Sequence, residues 1–129
     1  MSIERTDSFE IDAAGDLLRK VVPKRGKPYQ HTCRLESYEA VAHSAEELGQ
    51  LDGGFSVEDL AVNAEVPMTQ AAVALAFFKE RGLITIYRRR NYANPGLHLD
   101  AMIEFHALRE EPRVPAPRDA CDMPETSVE

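Results

Sequence analysis

The sequence predicts a mainly α-helical domain with a small β-hairpin, an α+β fold, over residues 31–110. The prediction depends on three residues that separate stretches of helical apolar periodicity. Ser56 is of the type that caps helices, Pro67 suits the first turn of a helix, and Gly82 suits the end of one. The run LITI at 83–86 is rich in β-branched residues and predicts a strand directly after the last of these helices.

Three helices are predicted before the strand. In residues 37–48 the apolar side chains recur three and four positions apart, which is typical of a helix with one buried face. A second helix is predicted over 57–64, because Ser56 and Asp59 have the spacing of a capping box. The third helix is predicted over 68–81 and carries alanine, valine, leucine and phenylalanine on several of its sides.

The segment after the strand has two interpretations. In the first, residues 91–96 form a turn, 97–99 return as a second strand, and Asp100 caps a last helix over 101–110. In the second, there is no return strand, and the last helix starts at Pro95, capped by the asparagine before it. Both interpretations predict a helix at the C-terminal end of the domain.

Residues outside 31–110 are predicted to form an arm and a tail. In the arm, 1–30, apolar residues four apart in 9–22 predict a short amphipathic helix, which Gly15 weakens. The loop PKRGKP at 23–28 is basic, and its charged side chains can touch phosphate. Residues 111–129 are acidic and rich in proline, so we expect a disordered tail.

The composition is that of a globular protein. Of the 129 residues, 43% are hydrophobic and 29% are charged, and the net charge is −7. This acidity argues against a protein that coats nucleic acid without selectivity, although residues 54–95 are close to neutral. The N-terminal residues are polar and no apolar run is long enough to span a membrane, so we expect a cytoplasmic protein without membrane contact.

The motifs of metal sites and of common enzymes are missing from the sequence. Cys33 and Cys121 are far apart and belong to no paired cysteine motif, and the four histidines show no ligand spacing. No glycine-rich phosphate loop and no serine nucleophile elbow occur. We therefore expect neither a bound metal nor a cofactor, and no enzymatic activity.

The segment FSVEDLAVNAEVPMTQAAVALAFFKERGLITIYRRR at 55–90 resembles the winged helix-turn-helix superfamily of transcriptional regulators. SVEDLA at 56–61 is similar to the first helix of the motif, and ALAFFKERGLI at 74–84 to the end of a recognition helix that leads into the wing. The resemblance covers about half of the chain. It implies a regulator of transcription that binds double-stranded DNA, with the third helix in the major groove and the wing on phosphates.

The resemblance also assigns DNA-contacting residues by their position in the motif. Glutamine at the start of the third helix can bond adenine in two places, and arginines at a hairpin tip can spread over phosphates. The residues at the base-reading positions are Met68, Thr69, Gln70 and Val73, and those of the wing are Arg88, Arg89, Arg90 and Asn91.

The third helix departs from this pattern because its outward side is apolar where DNA favours polar groups. Exposing Phe77 would forgo roughly 1.5–3 kcal/mol of burial, so we expect the N-terminal helix, the C-terminal helix or a second subunit to cover it. The alternative hypothesis is therefore a winged-helix module that binds a protein partner. Its predicted interaction face, which a homodimer could also use, consists of Ala72, Ala76, Phe77, Met102 and Phe105.

Overall fold

The computed structural model describes residues 6–49 and 53–110. β1, β2 and β3 form one antiparallel sheet in that order, and β4 and β5 form a second antiparallel sheet. The fold is therefore α+β, as predicted, with four helices among the described residues. The predicted tail, 111–129, lies outside them. The elements are β1 (Thr6–Ile11), β2 (Leu17–Val22), β3 (Tyr29–Cys33), α1 (Leu35–Leu48), α2 (Val57–Ala64), α3 (Met68–Glu80), β4 (Ile84–Tyr87), β5 (Arg90–Ala93) and α4 (Leu97–Glu110).

The N-terminal arm contains three strands, so the prediction of an amphipathic helix over 9–22 is wrong. The spacing of four does not discriminate between the two structures, because four residues make about one helical turn and also two periods of a strand. The turn between β1 and β2 favours strands. Asp12 accepts hydrogen bonds from two backbone N–H groups of this turn, and Gly15 adopts a φ of 89°.

The three predicted helices before the hairpin are confirmed, with bounds that differ by at most two residues. At the start of α2, the Ser56 hydroxyl accepts a hydrogen bond of 3.1 Å from the Asp59 backbone N–H. The Asp59 carboxylate accepts one of 2.9 Å from the Ser56 backbone N–H. This is the predicted capping box, and it satisfies two amide groups that the helix itself cannot bond.

Gly82 ends α3 as predicted. Its φ of 77° is left-handed, which glycine adopts without a steric penalty. The backbone N–H of Leu83 donates to the carbonyl of Phe78 at 2.9 Å, and that of Gly82 donates to Lys79 at 3.1 Å. These two bonds close the helix and direct the chain at once into β4. No described helix alone is long and apolar enough to cross a membrane; the bent pair α2–α3 meets that test by length and composition only.

The hairpin turn lies at Arg88 and Arg89, and not at 91–96. β4 and β5 pair in register from Ile84 with Ala93 to Tyr87 with Arg90. The turn was missed because both turn residues have positive φ values, 51° and 67°, which non-glycine residues adopt only rarely.

Residues 97–99 are helical and open α4, so the first interpretation of this segment is wrong. The second, which has no return strand there, is closer, although its capping asparagine is used elsewhere. Asn94 donates to the carbonyl of Gly82 at 2.8 Å and accepts from Thr85 at 2.7 Å. Asp100 lies inside the first turn of α4 rather than at its cap.

Helix α3 is buried on more than one side. Ala71, Ala74 and Phe78 belong to the core that α3 forms with α1 and α2. On another side, the ring of Phe77 lies 5.3 Å from that of Phe9 on β1. The sheet β1–β3 therefore covers the apolar side of α3 that the sequence left without an assigned partner.

Candidate nucleic-acid interface

The tip of the β4–β5 hairpin presents two arginines to solvent. Arg88 and Arg89 are both exposed, and their positive φ values fit a two-residue turn between antiparallel strands. The Arg88 guanidinium lies 5.2 Å from the centre of the Tyr87 ring, a cation–π contact that leaves its N–H groups available. Neither arginine makes an ion pair with another described residue. Both can therefore bind an external anion.

The other two predicted wing residues, Arg90 and Asn91, make hydrogen bonds within the protein. Arg90 donates to the carbonyls of Gly53 and Gly54, at 3.0 and 3.2 Å, and pairs with Asp59 at 3.3 Å. Asn91 is buried, and its side-chain amide donates to the Phe55 carbonyl at 3.0 Å. These bonds anchor the hairpin to the start of α2. The prediction that Asn91 contacts DNA is wrong, because its amide is directed into the protein.

The start of α3 offers fewer DNA-contacting groups than the resemblance implied. Met68 and Thr69 are exposed. The Gln70 side-chain oxygen accepts a hydrogen bond of 3.1 Å from the Arg34 backbone N–H, so it is already occupied as an acceptor. Val73 has no exposed surface, which corrects its assignment to a base-reading position. The sheet β1–β3 packs against this side of α3.

The predicted apolar interaction face is also largely internal. Phe77 and Phe105 are fully buried, so their assignment to an interaction surface is wrong. Both rings contact Tyr38, whose hydroxyl donates to a carbonyl of α4. Ala72, Ala76 and Met102 are half-buried. The expectation that α3 is covered is confirmed, and the cover is the N-terminal segment folded as a sheet.

A groove of about 500 Å³ separates the sheet β1–β3 from α2 and α3. Asp7 and Arg19 form one wall, and their side chains are joined by a hydrogen bond of 2.9 Å from the arginine Nε. Val57 and Lys79 belong to the opposite wall. From the sequence, Lys79 is predicted only to lie at the end of its helix, because nothing in the chain order indicates that a sheet faces it.

The positive charge without a carboxylate partner is concentrated in the β2–β3 turn and at the hairpin tip. Twelve lysine and arginine residues lie in 6–49 and 53–110, and five of them pair with carboxylates. The other seven are exposed or at the surface and have no described carboxylate partner. They are Lys24, Arg25, Lys27, Lys79, Arg88, Arg89 and Arg109. Only Arg109 lies on α4, an element that does not line the groove.

Cysteine and histidine form no candidate metal site in the described part of the chain, although the rings of His43 and His98 lie 5.8 Å apart. No group of three or more His, Cys, Asp or Glu side chains is placed to hold a metal ion there. Cys33, the last residue of β3, is buried. Burial raises the pKa of its thiol to about 12, with a smaller contribution from the Asp16 carboxylate. A thiol in this environment is a poor nucleophile.

Comparison of the chain with protein-family models, with curated proteins and with solved structures finds no match.

Proposed function

We propose that this chain is a winged-helix protein that binds double-stranded DNA and acts as a regulator of transcription. The observation that carries the proposal is the hairpin tip, where Arg88 and Arg89 are exposed and without carboxylate partners. Both hold a backbone conformation that costs a non-glycine residue about 1–2 kcal/mol. Strain of this kind concentrates at functional sites.

The order of elements supports the proposal. A helix, α1, is followed by Phe55, by the pair α2 and α3, and by the hairpin β4–β5. Phe55 forms an antiparallel bridge with Asn91 and adds a short third strand to the hairpin. This is the order in which a winged helix presents a hairpin beside its helix-turn-helix, with the tip free to reach a phosphate backbone.

We propose that the protein binds mainly to DNA phosphates and makes few contacts with the bases. Two arginines that each neutralise one phosphate give a dependence of log K on log salt of about −1.8. Met68 and Thr69 are the exposed residues at the start of α3, and neither forms the bidentate pairs that discriminate bases well. Selectivity then depends on DNA shape or on a second DNA-binding unit.

A salt titration tests the proposal. Binding of the full chain to a mixed-sequence duplex is measured by fluorescence anisotropy at several salt concentrations. The variant Arg88→Ala/Arg89→Ala is expected to reduce the magnitude of the salt slope by about 1.8. The control Lys20→Ala/Arg109→Ala removes the same charge away from the hairpin and is expected to leave the slope unchanged. Equal slopes for the wild type and the hairpin variant would refute the proposed contact.

Protein docking is the second candidate, and one observation favours it. Leu99 and Ile103 lie one turn apart on α4 and are 65% and 53% exposed. They form an apolar surface on α4, apart from the α3 side that the sheet covers. Light scattering of the chain and of Ile103→Asp tests this candidate through self-association. If the wild type is monomeric at all accessible concentrations, α4 does not mediate a dimer.

A further inference from the structure

We propose that the turn between β2 and β3, with Lys24, Arg25 and Lys27, is a second phosphate-binding element that holds the same DNA duplex as the hairpin tip. The inference rests on the proposed function. It places the DNA on the side of the molecule that carries the hairpin and the open end of the sheet β1–β3. It also explains why α3 can be covered in a protein that binds DNA.

Hydrogen bonds and the groove connect the two basic turns. The hairpin is fixed to the start of α2, because Arg90 contacts Asp59 and the carbonyls of Gly53 and Gly54. Two residues before Asp59, Val57 forms part of one wall of the groove. The hairpin is therefore connected to one wall of the groove. The β2–β3 turn lies beside the same groove if the opposite wall leads to it.

The opposite wall of the groove leads to the β2–β3 turn. Asp7 and Arg19 face Val57 across the groove. Asp7 pairs in register with Val21, which lies near the end of β2, and the basic turn begins after Val22. The other end of the sheet is fixed far from the turn, since Asp16 accepts a hydrogen bond from the first residue of α1. The basic turn therefore extends from the sheet on the side of the groove.

Cations without a carboxylate partner are concentrated in the two basic turns. Six of the seven described cations without a carboxylate partner belong to the β2–β3 turn, the hairpin tip or the groove wall. Three acidic side chains in this region are paired within the protein, whereas Glu58, next to Val57, is exposed and has no ion pair among the described residues. Asp7 pairs with Arg19, Asp59 with Arg90, and Glu80 with Arg81. Lys79 on the groove adds a further cation without a carboxylate partner.

The β2–β3 turn has an open conformation. Gly26 has a φ of 93°, and a Cβ at this position would contact nothing within 4 Å. The three basic side chains are all exposed. An open turn of this kind suits contact with a regular phosphate backbone, which requires charge at the correct spacing rather than a preformed pocket.

The salt dependence of duplex binding tests the inference. If all three side chains contact phosphates, Lys24→Ala/Arg25→Ala/Lys27→Ala reduces the magnitude of the salt slope by about 2.7. A charge-preserving control, Lys24→Arg/Arg25→Lys/Lys27→Arg, is expected to keep the wild-type slope. Because the substituted side chains are exposed, the circular dichroism spectrum and the thermal midpoint are expected to stay unchanged.

The outcomes separate this inference from the function on which it rests. If the hairpin variant weakens duplex binding and the turn variant does not, the inference fails and the proposed function stands. If neither variant changes duplex binding, both fail. If the turn variant abolishes binding to phosphatidylserine vesicles but leaves duplex binding unchanged, the turn is a membrane contact and the inference is overturned. Loss of salt slope in both variants, additive when they are combined, supports it.

Discussion

The ring of Phe9 on β1 lies against the ring of Phe77 on α3, with their centres 5.3 Å apart. This contact joins the N-terminal sheet to the helix that would otherwise present a phenylalanine to solvent. It decides which surface of the protein is available to a partner, because it buries one apolar side of α3. The stability of the sheet–helix contact can be measured directly.

We predict that Phe77→Ala lowers the free energy of unfolding by about 3–5 kcal/mol, because the side chain is fully buried. Phe9→Ala is expected to cost less, since Phe9 is only half-buried. A double-mutant cycle by urea denaturation should give a coupling of about 0.5–1.5 kcal/mol between the rings. Ser8→Ala, on the exposed face of the same strand, serves as the control. Strict additivity would mean that the rings do not interact.

Adjacent glycines in the loop before α2 should respond differently to alanine. Gly53 and Gly54 both have positive φ values, 93° and 70°. A Cβ on Gly53 meets nothing within 4 Å, whereas one on Gly54 lies 2.8 Å from the Asn91 carbonyl oxygen. Gly53→Ala is expected to cost about 1–2 kcal/mol of stability from backbone strain, and Gly54→Ala about 1–3 kcal/mol more from the clash. Equal costs, measured by urea denaturation, would contradict this close approach.

The capping box should make stability depend on acid pH. The hydrogen bond from the Ser56 backbone lowers the pKa of Asp59 below its ordinary value of 3.8, and the nearby Arg90 acts in the same direction. The unfolded chain therefore binds a proton more readily, so this stabilisation is present above about pH 3.8 and is lost as the pH falls through the lowered value. We expect Asp59→Asn to reduce the acid dependence of the free energy of unfolding.

Glu58 provides the control for this experiment. It lies in the same helical turn, is exposed, and forms no hydrogen bond or ion pair within the described residues. Glu58→Gln is expected to keep the wild-type pH dependence between about pH 6 and pH 3. If the two variants show the same curve, the helix cap does not account for the effect.

Removal of backbone strain at the hairpin tip should change the free energy of unfolding without a separate effect on DNA binding. Arg89 has a φ of 67°, so Arg89→Gly is expected to raise the free energy of unfolding by about 0.5–1 kcal/mol. Arg89→Ala keeps the strain and removes the same charge. The two variants should weaken duplex binding equally while only the glycine variant is more stable in urea. A glycine variant that is less stable than the alanine variant would show that the turn is not strained.

The thiol of Cys33 should be protected by the fold. Its pKa of about 12 means that roughly one molecule in 10,000 carries a thiolate at pH 8. We expect iodoacetamide to modify Cys33 only after unfolding in urea, as measured by mass spectrometry of the peptide that contains it. Peptide resolution separates Cys33 from Cys121, which lies outside the described residues. Rapid alkylation of the native protein would show that the sheet does not cover this thiol.

Much of the central architecture could be predicted because its determinants are local. Ser56 with Asp59 caps α2, and Gly82 ends α3, through hydrogen bonds that span at most five residues. Such contacts depend on the order of neighbouring residues, which the sequence states directly. The N-terminal sheet could not be predicted in the same way. Its apolar spacing of four fits a helix and a strand equally, and the choice depends on contacts with α3.

The sequence by itself determined the helices α1 to α3 and the strand that follows them, because caps, stops and apolar periodicity act over a few residues. The tertiary structure decided the fate of the charged and apolar side chains. It buried Val73 and Phe77 under the N-terminal sheet, used Arg90 and Asn91 to anchor the hairpin, and left Arg88 and Arg89 free. Those outcomes depend on which segments meet in space, and residues far apart in the chain settle them.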